Sequence, residues 1–409
     1  MGKEFRYLRI DECLGNLVEK TNIVIGVTTV DTIDALGRIA YDEIVSPIDI
    51  PPYDRSAVDG YAVCSEATTS ASPNNPIPLI LRSRGDGISC GEAVPISTGD
   101  RVPLGADAVV MLEDTFVDNS KNVVLITRPV PKYANISRVG EDLKSGDVVV
   151  ERGRLVRPWH IAAMAAIGLD RVRVYREVEI GVITIGSELR SGSVDVYSEG
   201  GVIDVTSKLV IGSLREYRFI KPRWYGIVED DAKSIALVIQ RAAAENDIVI
   251  TSGGTGPSDR DLTFNALSLL GKERKVDVIS RGIAMRPGRP TSIAVIDGKP
   301  LFMLSGYPVA AYISLRVLVL QFIVKLLGIR GAEPIEVPAV LSRRVVGSVG
   351  YDVIARMKAY RCGNDLCAEP MALHGSGVLR TLLDSNALLH IRQDLEGFDR
   401  GERVWIQIL

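Results

Sequence analysis

The sequence contains few of the residues from which disulfide scaffolds and histidine metal centres are built. Among its 409 residues are five cysteines and three histidines, and a chain of this length can bury a core without covalent cross-links. Cys362 and Cys367 lie close together, but a structural zinc site needs four ligands, and no second cysteine or histidine pair is nearby. This pattern favours two free thiols in a hairpin over a zinc site, and it disfavours a histidine-rich metal centre.

The sequence also lacks a basic excess and an uninterrupted apolar segment of membrane length. It has 48 Lys and Arg against 51 Asp and Glu, a net charge of −3, which argues against general nucleic-acid binding but allows a local basic pocket. Met1 to Phe5 has no apolar run of the signal-peptide type. The most apolar stretch, Val309 to Leu327, is interrupted by Arg316, Gln321 and Lys325, so it predicts a buried helix rather than a membrane span. We therefore expect a cytoplasmic protein that binds neither nucleic acid nor a membrane.

The length of the chain and the changes in local composition along it predict several domains. With 46% hydrophobic and 24% charged residues, the composition is that of an ordinary globular protein, and the length corresponds to about two to four units. The chain up to about residue 46 is helix-prone, with a capped helix predicted over Asp31 to Arg38. Residues 47–140 contain short β-rich runs separated by turn residues, and the chain after residue 328 is β-like again.

Between these β-rich parts, from about residue 177, strands alternate with helices. The pattern predicts strands over Val178 to Ile185 and Asp247 to Thr251, a helix over Asp204 to Tyr217, and a hairpin turn at Asp297-Gly298. Such alternation predicts a doubly wound α/β domain. Ligands of these domains bind beyond the carboxyl ends of the strands.

Three predicted strand ends carry residues suited to a phosphorylated ligand. Gly186-Ser187-Glu188 ends one strand, Asp230 and Asp231 follow another and open a helix, and Thr251 to Asp261 holds a glycine-rich turn. Glycines let backbone amides face an anion, and the N-terminus of the following helix adds positive dipole character. The turn matches neither a Walker loop nor the GxGxxG fingerprint, so a plain strand-to-helix turn is the alternative.

Carboxylates beside this turn indicate a divalent cation. Asp259 and Asp261 lie next to the glycines, and they would repel a phosphate unless a cation mediates. Mg²⁺ suits this place because it binds through a carboxylate or two, phosphate oxygens and water. The alternative for these aspartates, and for Asp230 and Asp231, is the cap of a helix N-terminus.

A basic turn completes the predicted site. In Arg286-Pro287-Gly288-Arg289-Pro290 two arginines lie on either side of a Pro-Gly turn, from which both can bind one oxyanion; a solvated loop is the alternative. Together these features predict a site for a phosphorylated ligand, a divalent cation and a further anion. No Ser/His/Asp triad or Cys/His pair is visible, so nucleophilic catalysis is not indicated.

A long motif resembles one family. Pro51 to Val63, with the sequence PPYDRSAVDGYAV, resembles the signature of the molybdopterin molybdenumtransferases, the MoeA and gephyrin E-domain family. Further matches follow in the family's order and cover nearly the whole chain: Ile96 to Gly99, Gly105 to Val110, Arg138 to Asp142, Gly186 to Leu189, Gly253-Gly254, Arg286 to Pro290, Ser305 to Val309 and Gly375 to Leu379.

The resemblance implies an elongated, four-part subunit that forms a homodimer. A helical domain I would comprise residues 1–46 and 141–176, split by a β-rich domain II at 47–140; the α/β, molybdopterin-binding domain III would span 177–328, and a β-barrel-like domain IV 329–409. The implied reaction is the Mg²⁺-dependent insertion of molybdate, or tungstate, into adenylylated molybdopterin with release of AMP. Molybdopterin adenylyltransferase and molybdoenzyme apoproteins are the further partners that it implies.

The resemblance also implies roles for individual residues. The positions that would act in catalysis are Asp59, Thr98, Asp142, Glu188, Asp230 and Asp261. Of these, Glu188 and Asp261 would hold Mg²⁺. Positions that would bind the pterin phosphate and nucleotide are Ser252, Gly253, Gly254, Gly256, Gly306 and Pro308. Positions that would hold the oxyanion are Arg286, Arg289, Arg356 and Ser376. Asp59, Thr98 and Asp142 would cross to the partner subunit's cleft.

Two segments depart from the family pattern. Tyr307 and Ala310 stand where many members have Asn and Ser, which removes two polar groups. The segment Thr255 to Asp261 is closer to the single-domain adenylyltransferase relatives. A molybdopterin adenylyltransferase is therefore the alternative enzyme, although the four-part length and the motif around Asp59 argue against it. A non-catalytic molybdopterin-binding scaffold is the second alternative.

Overall fold

Two units divide the chain of the computed structural model, which describes residues 7–85, 87–198, 200–254, 261–371 and 377–409. The first unit comprises Met1–Asp42, Arg152–Arg157 and Val172–Leu409, and the second comprises Glu43–Glu151 and Pro158–Arg171. The second unit is thus largely an insertion in the first along the sequence. The finer division into four domains stays a prediction.

The N-terminal part of the first unit contains one longer helix. Helix α1 (Ile10–Lys20) buries Cys13, Leu14 and Leu17 on one face, as apolar side chains three or four residues apart do. Strand β1 (Val27–Asp31) follows. The helix predicted over Asp31 to Arg38 is a single 3₁₀ turn, Thr32–Ala35, because Gly37, with φ of +72°, takes the chain out of the helical conformation two residues later.

The second unit is β-rich, as predicted. Its strands and its one α-helix within the described residues are β2 (Ile44–Val45), β3 (Arg55–Ser56), β4 (Gly60–Val63), β5 (Ile77–Leu81), β6 (Glu92–Ile96), β7 (Ala108–Met111), β8 (Thr115–Asp118), β9 (Val123–Ile126), β10 (Ile136–Ser137), β11 (Val148–Val150) and α2 (Pro158–Ala166). Six of the strands form one sheet in the order β7-β4-β6-β5-β9-β8. Its buried core includes Val63, Leu79, Val110, Val124 and Ile126.

The α/β domain of the first unit follows the predicted alternation. Its elements are β12 (Arg171–Tyr175), β13 (Val178–Ile185), β14 (Leu189–Arg190), α3 (Asp195–Ser198), β15 (Val202–Ile203), α4 (Thr206–Arg215), β16 (Ile220–Val228), α5 (Ala232–Glu245), β17 (Ile248–Ser252), α6 (Leu262–Leu270), β18 (Val276–Ser280), β19 (Met285–Arg286), β20 (Ser292–Ile296), β21 (Lys299–Leu304), α7 (Pro308–Ser314) and α8 (Leu320–Leu327). The central sheet has the order β16-β13-β17-β21-β20-β18. Strands β16, β13, β17 and β21 are parallel, so their carboxyl ends lie at one edge.

Both faces of this sheet are covered, which explains its nearly continuous apolar strands. Because successive side chains of a strand point to opposite faces, Val182 packs with Leu214 of α4 and Phe322 of α8. Ile183 packs instead with Ile239 of α5 and Leu267 of α6. The hairpin predicted at Asp297-Gly298 connects β20 to β21, and both turn residues have positive φ, 51° and 83°.

A β-bulge interrupts the pairing of the edge strand β16 with β13. Val182 pairs with Trp224, but Thr184 pairs with Ile227, so β16 carries one extra residue. Gly226, with φ of +88°, lies in this stretch. The extra residue reverses the alternation, and Val228 therefore reaches the face covered by α5, where it joins Ile185.

The apolar helix predicted from Val309 to Leu327 is confirmed as a core helix. It begins at Pro308 and consists of α7, a π turn over Leu315–Val319 and α8. Its length and mean hydropathy of 1.9 would also suit a membrane span, but 61% of the apolar window is buried inside the protein. Pro308 occupies the first turn, where its missing amide costs nothing.

The C-terminal part of the first unit is a closed barrel. Its elements are β22 (Glu336–Leu341), β23 (Val345–Val346), β24 (Asp352–Cys362), β25 (Asp365–Pro370), α9 (Arg380–Leu383), β26 (Ala387–Ile391), β27 (Gly397–Phe398) and β28 (Arg403–Ile408). Strand β24 pairs with both β25 and β26, which closes the ring β24-β25-β22-β28-β26. Leu341, Ala355, Met357, Leu389 and Ile406 fill its interior.

The cysteines differ from expectation. The prediction of free thiols at Cys362 and Cys367 is wrong, because these residues end the β24–β25 hairpin with Cα atoms 5.8 Å apart and form a disulfide. Cys64 and Cys90, which are 26 residues apart, form another with a Cα separation of 5.2 Å. Both separations suit a disulfide. Cys13 is buried, and burial raises the pKa of its thiol to about 12.

Candidate active site

The carboxyl ends of β13, β17 and β21 meet in a group of glycines, Gly253, Gly254 and Gly306. We call these glycines, together with Thr251 and Ser252 at the end of β17, the glycine cradle. A Cβ on Gly253 would lie 2.2 Å from the carbonyl oxygen of Ile185, and one on Gly254 would lie 2.8 Å from the Ile185 side chain. A Cβ on Gly306 would lie 3.4 Å from the Cα of Gly253. Gly253 and Gly254 also have positive φ, 85° and 66°. This edge therefore presents main-chain atoms where other residues would present side chains.

Several polar groups of the cradle have no partner among the described residues. The Gly253 amide donates to the Leu304 carbonyl at 3.2 Å, whereas the amides of Gly254 and Gly306 meet no acceptor in that part of the chain. The hydroxyls of Thr251 and Ser252, at 0% and 1% exposure, are also without a hydrogen bond there. Buried polar groups are nearly always bonded, so unbonded groups beside a glycine-rich strand end indicate a place that a polar ligand fills. Thr251 is an addition to the sequence prediction.

Helix α6 is tied to the cradle at its N-terminus. Asp261 caps this helix, because its Oδ1 accepts the amides of Thr263 at 3.1 Å and Phe264 at 3.2 Å. The Thr263 hydroxyl donates to the carbonyl of Gly254 at 3.0 Å. The positive end of the helix dipole therefore lies beside the cradle, where it favours an anion. The N-cap alternative for Asp261 is thus observed, with the carboxylate 9% exposed.

The neighbouring strand ends are joined by a reciprocal pair. The Ser187 amide donates to the Asp230 carboxylate at 3.1 Å, and the Asp230 amide donates to the Ser187 hydroxyl at 2.8 Å. Asp231, not Asp230, caps α5: it accepts the Ser234 amide at 2.8 Å, which holds the pKa of Asp231 below its ordinary value. Glu188 is exposed beside Gly186. Asp230 and Glu188 thus lie at the predicted edge of the sheet.

A buried polar cluster beneath the cradle was missed by sequence reasoning. Asp204, at 3% exposure, accepts the Thr184 hydroxyl at 2.9 Å and the Ser207 amide at 3.0 Å. Thr206 donates its hydroxyl to the carbonyl of Gly306 at 2.6 Å. An aspartate directly before an apolar helix is a capping signal, which could have located the contact of Asp204 with the Ser207 amide but not the contact of Thr206 with Gly306.

The basic turn lies beside two tyrosines. The guanidinium of Arg286 lies 4.4 Å from the ring centre of Tyr351, and that of Arg289 lies 5.9 Å from the ring centre of Tyr7. Both arginines are exposed, and neither has a carboxylate partner among the described residues. Arg356 is 1% exposed, and burial lowers the pKa of its guanidinium. Within the described residues, neither Arg286 nor Arg289 forms a hydrogen bond with a residue of the cradle.

The predicted residues of the second unit form an exposed patch of their own. The Thr98 amide donates to Oδ1 of Asp59 at 2.8 Å, and both side chains are exposed. Asp142 is also exposed and lies 3.6 Å from Arg55. A cavity of about 810 Å³ in the same unit is lined by residues that include Tyr53, Asp54, Asp100 and Arg101. The sharing of this patch with a partner subunit's cleft stays a prediction.

Three residues of the prediction, Gly256, Asp259 and Ser376, lie outside the described residues. Within the described part of the chain, the one group of three metal-ligand types with donor atoms within 4.8 Å of one another is Cys64, Glu66 and Cys90, whose two sulfurs are bonded to each other. No carboxylate trio is therefore preformed at the strand ends in that part.

Comparison with known proteins agrees with this architecture. Three family descriptions match in succession: the MoeA N-terminal region (domain I and II) at residues 8–168, a probable molybdopterin binding domain at 181–325, and the MoeA C-terminal region (domain IV) at 339–409. The crystal structure of the molybdopterin biosynthesis moeA protein from Pyrococcus horikoshii covers 98% of this chain and 100% of its own, with a TM-score of 0.83 and 31% identity.

Relatives of known sequence show the same similarity over most of their length. A putative molybdopterin biosynthesis protein of Methanocaldococcus jannaschii is 36% identical over 390 residues, 94% of this chain and 92% of its own. The molybdopterin molybdenumtransferase of Staphylococcus epidermidis is 32% identical over 378 residues, 91% of this chain and 88% of its own.

Fold and family matches together define a multidomain protein of molybdenum cofactor biosynthesis, with an α/β domain that matches a probable molybdopterin binding domain and with a C-terminal barrel. The chain belongs to the MoeA family, the molybdopterin molybdenumtransferases. The fold class predicted from the sequence is confirmed.

Proposed function

We propose that this chain inserts molybdate into adenylylated molybdopterin with the assistance of Mg²⁺ and releases AMP. In this reaction the dithiolene sulfurs replace two oxo groups of molybdate, which leave as water, so the oxidation state of the metal does not change. Water cleaves the bond between the two phosphates, which leaves one phosphate on the pterin product and the other on AMP. The observation that carries the proposal is the glycine cradle, with free amides at Gly254 and Gly306 and an unbonded buried hydroxyl at Ser252, all among the described residues. Such donors suit the phosphates of the substrate.

The carboxylates at the strand ends fit Mg²⁺. Glu188 is exposed beside Gly186, and Asp261 lies at the N-terminus of the helix tied to Gly254. Mg²⁺ is commonly held by one or two carboxylates together with phosphates and water, so a preformed trio is not needed. Bound there by Glu188 and Asp261, Mg²⁺ would neutralise charge on the phosphates. Asp230, held by Ser187, would keep the adjoining turn in place.

The arginine pair supplies the charge for molybdate. Arg286 and Arg289 lie over tyrosine rings and have no carboxylate partner among the described residues, so their donors can turn to a dianion. Arg356 lies buried in the barrel wall; we propose that it and Ser376 complete this oxyanion site. Because molybdate and tungstate are tetrahedral dianions of nearly equal size, a basic site alone accepts both.

We further propose that the protein acts in the cytoplasm as a homodimer in which Asp59, Thr98 and Asp142 of one subunit complete the cleft of the other. The adenylyltransferase that supplies its substrate and the apoproteins that take its product are the proposed transient partners.

The test is release of AMP from adenylylated molybdopterin in the presence of Mg²⁺, with molybdate, with tungstate and with neither. We expect release that depends on the oxyanion. Absence of that dependence would reject the proposal, and consumption of ATP with plain molybdopterin would support an adenylyltransferase instead.

A matched pair of variants then tests the role of Asp261. Asn is as good an N-cap as Asp, so Asp261→Asn keeps α6 but loses the charge, and we expect AMP release to fall at least about 100-fold. Asp231→Asn makes the same change at the cap of α5 and should leave release unchanged. Equal turnover of the two variants would remove Asp261 from the mechanism.

A further inference from the structure

An exposed aromatic residue follows the glycine cradle directly. Tyr307 is 62% exposed. Its neighbour Gly306 lies so close to Gly253 that a Cβ on Gly306 would be 3.4 Å from the Gly253 Cα. The Tyr307 ring therefore begins one residue from the proposed phosphate site. A tyrosine ring exposed to this degree is accessible to a ligand.

The backbone at Tyr307 is fixed. Its amide donates to the Ser305 hydroxyl at 3.2 Å, and its carbonyl accepts the Ala311 amide at 2.9 Å. Tyr307 occupies the N-cap position of α7, but its side chain makes no cap hydrogen bond. Asn, Asp, Ser or Thr would stabilise the helix there by about 1 kcal/mol more. Helix capping therefore does not account for a tyrosine at this place.

The ring is supported on one side. A Cβ on Gly377 of the barrel part would lie 3.1 Å from Cδ1 of Tyr307 and 3.5 Å from its Cε1. The absence of a side chain at Gly377 thus lets the ring rest against the backbone. The Tyr307 hydroxyl has no hydrogen-bond partner among the described residues, and the high exposure of the residue leaves part of the ring accessible to a ligand.

We propose that Tyr307 stacks on a planar nitrogen heterocycle of the substrate whose phosphates occupy the glycine cradle. The inference rests on the proposed function, and it adds a binding residue that determines specificity for the heterocycle. Two heterocycles of that substrate share the required chemistry, the adenine and the pterin. Stacking on an aromatic side chain contributes roughly a 5- to 100-fold gain in affinity, and it requires the ring but not the hydroxyl.

Equilibrium binding to the full-length protein tests this by calorimetry with three probes: AMP, 6-hydroxymethylpterin phosphate and ribose 5-phosphate, which has no heterocycle. For Tyr307→Ala we expect about 10-fold weaker binding of AMP or of the pterin phosphate and unchanged binding of ribose 5-phosphate. The probe that loses affinity identifies the heterocycle. Tyr307→Phe should bind as the wild type does. Tyr360→Ala, at an exposed tyrosine of the barrel (39% exposure), is the control and should change nothing.

Three results would overturn the inference. These are equal losses for all three probes in Tyr307→Ala, no loss for any probe, and a wild type that binds neither heterocyclic probe more tightly than ribose 5-phosphate. AMP release by the wild type is measured alongside. If release depends on molybdate while one of these results is found, only the stacking role falls; if no release occurs, the proposed function falls.

Discussion

The glycine cradle and the Asp59 patch are both regions that the family resemblance assigns to one reaction, yet they are built in opposite ways. In the cradle, backbone packs on backbone: a Cβ on Gly253 would lie 2.2 Å from Ile185 O, and the hydroxyl of Ser252 is fully buried. In the second unit, Asp59 and Thr98 are exposed and joined by one hydrogen bond of 2.8 Å.

The two regions should therefore tolerate substitution differently. In a buried, close-packed site a change of shape displaces neighbouring atoms, so the shape and the stability of the site are coupled. An exposed pair contributes little to folding, so substitution there should separate function from stability. Three substitutions test this contrast.

The largest effect is expected for Gly253→Ala. The added methyl group would meet the Ile185 carbonyl at 2.2 Å, and φ is +85°, so the cradle must shift. We expect AMP release to fall at least about 100-fold, the loss typical when donors to an oxyanion are misplaced. Gly226→Ala is the matched control, since φ there is +88° but nothing lies within 4 Å of the added atom. If both variants retain turnover, the cradle is not the phosphate site.

An intermediate effect is expected for Asp59→Asn. The amide oxygen can still accept from Thr98, so the free energy of unfolding should change by less than about 1 kcal/mol, while loss of the charge should reduce AMP release roughly 10- to 100-fold. Asp49 accepts the Ser145 amide at 2.8 Å in the same unit, and Asp49→Asn should leave release unaffected. Chemical denaturation and turnover are measured on the same variants. A large loss of stability in Asp59→Asn would contradict the expectation that the exposed pair contributes little to folding.

The smallest effect is expected for Ser252→Ala. Because this buried hydroxyl has no partner among the described residues, its removal should leave the free energy of unfolding unchanged or slightly raised, and substrate KM should rise only about 2- to 10-fold. Ser207→Ala removes a buried hydroxyl that is bonded to Asp204 and should cost about 1–3 kcal/mol. Equal destabilisation by the two variants would show that the Ser252 hydroxyl is used in folding.

Local signals predicted most of the fold. The strand over residues 178–185, the hairpin at Asp297-Gly298 and the long apolar helix follow from periodicity and turn chemistry, and the structure confirms them. The helix predicted over residues 31–38 is only one turn long, because Gly37 adopts the left-handed conformation and ends it despite the favourable aspartate at its start. The cap of α5 fell on Asp231 rather than its neighbour, a choice that depends on backbone geometry.

The missed features are contacts between distant parts of the chain. The Thr206 hydroxyl donates to the carbonyl of Gly306, which is 100 residues away in the sequence. Cys64, which follows β4, is bonded to Cys90, which precedes β6, the strand paired with β4. No period or spacing encodes such approaches. The arginine pair was predicted by its chemistry, but its tyrosine neighbours, Tyr7 and Tyr351, come from opposite ends of the chain.

The bulge in strand β16 has a consequence for the evolution of this edge. One extra residue near Gly226 switches the later side chains of β16 to the opposite face of the sheet. A single-residue deletion there would therefore reverse the face of every side chain between the deletion and the end of the strand. Val228 would turn from the α5 face to the α4 face, and the segment leading to Asp230 would be drawn back from Ser187. We therefore expect relatives to tolerate varied residues in this strand but insertions and deletions only in pairs.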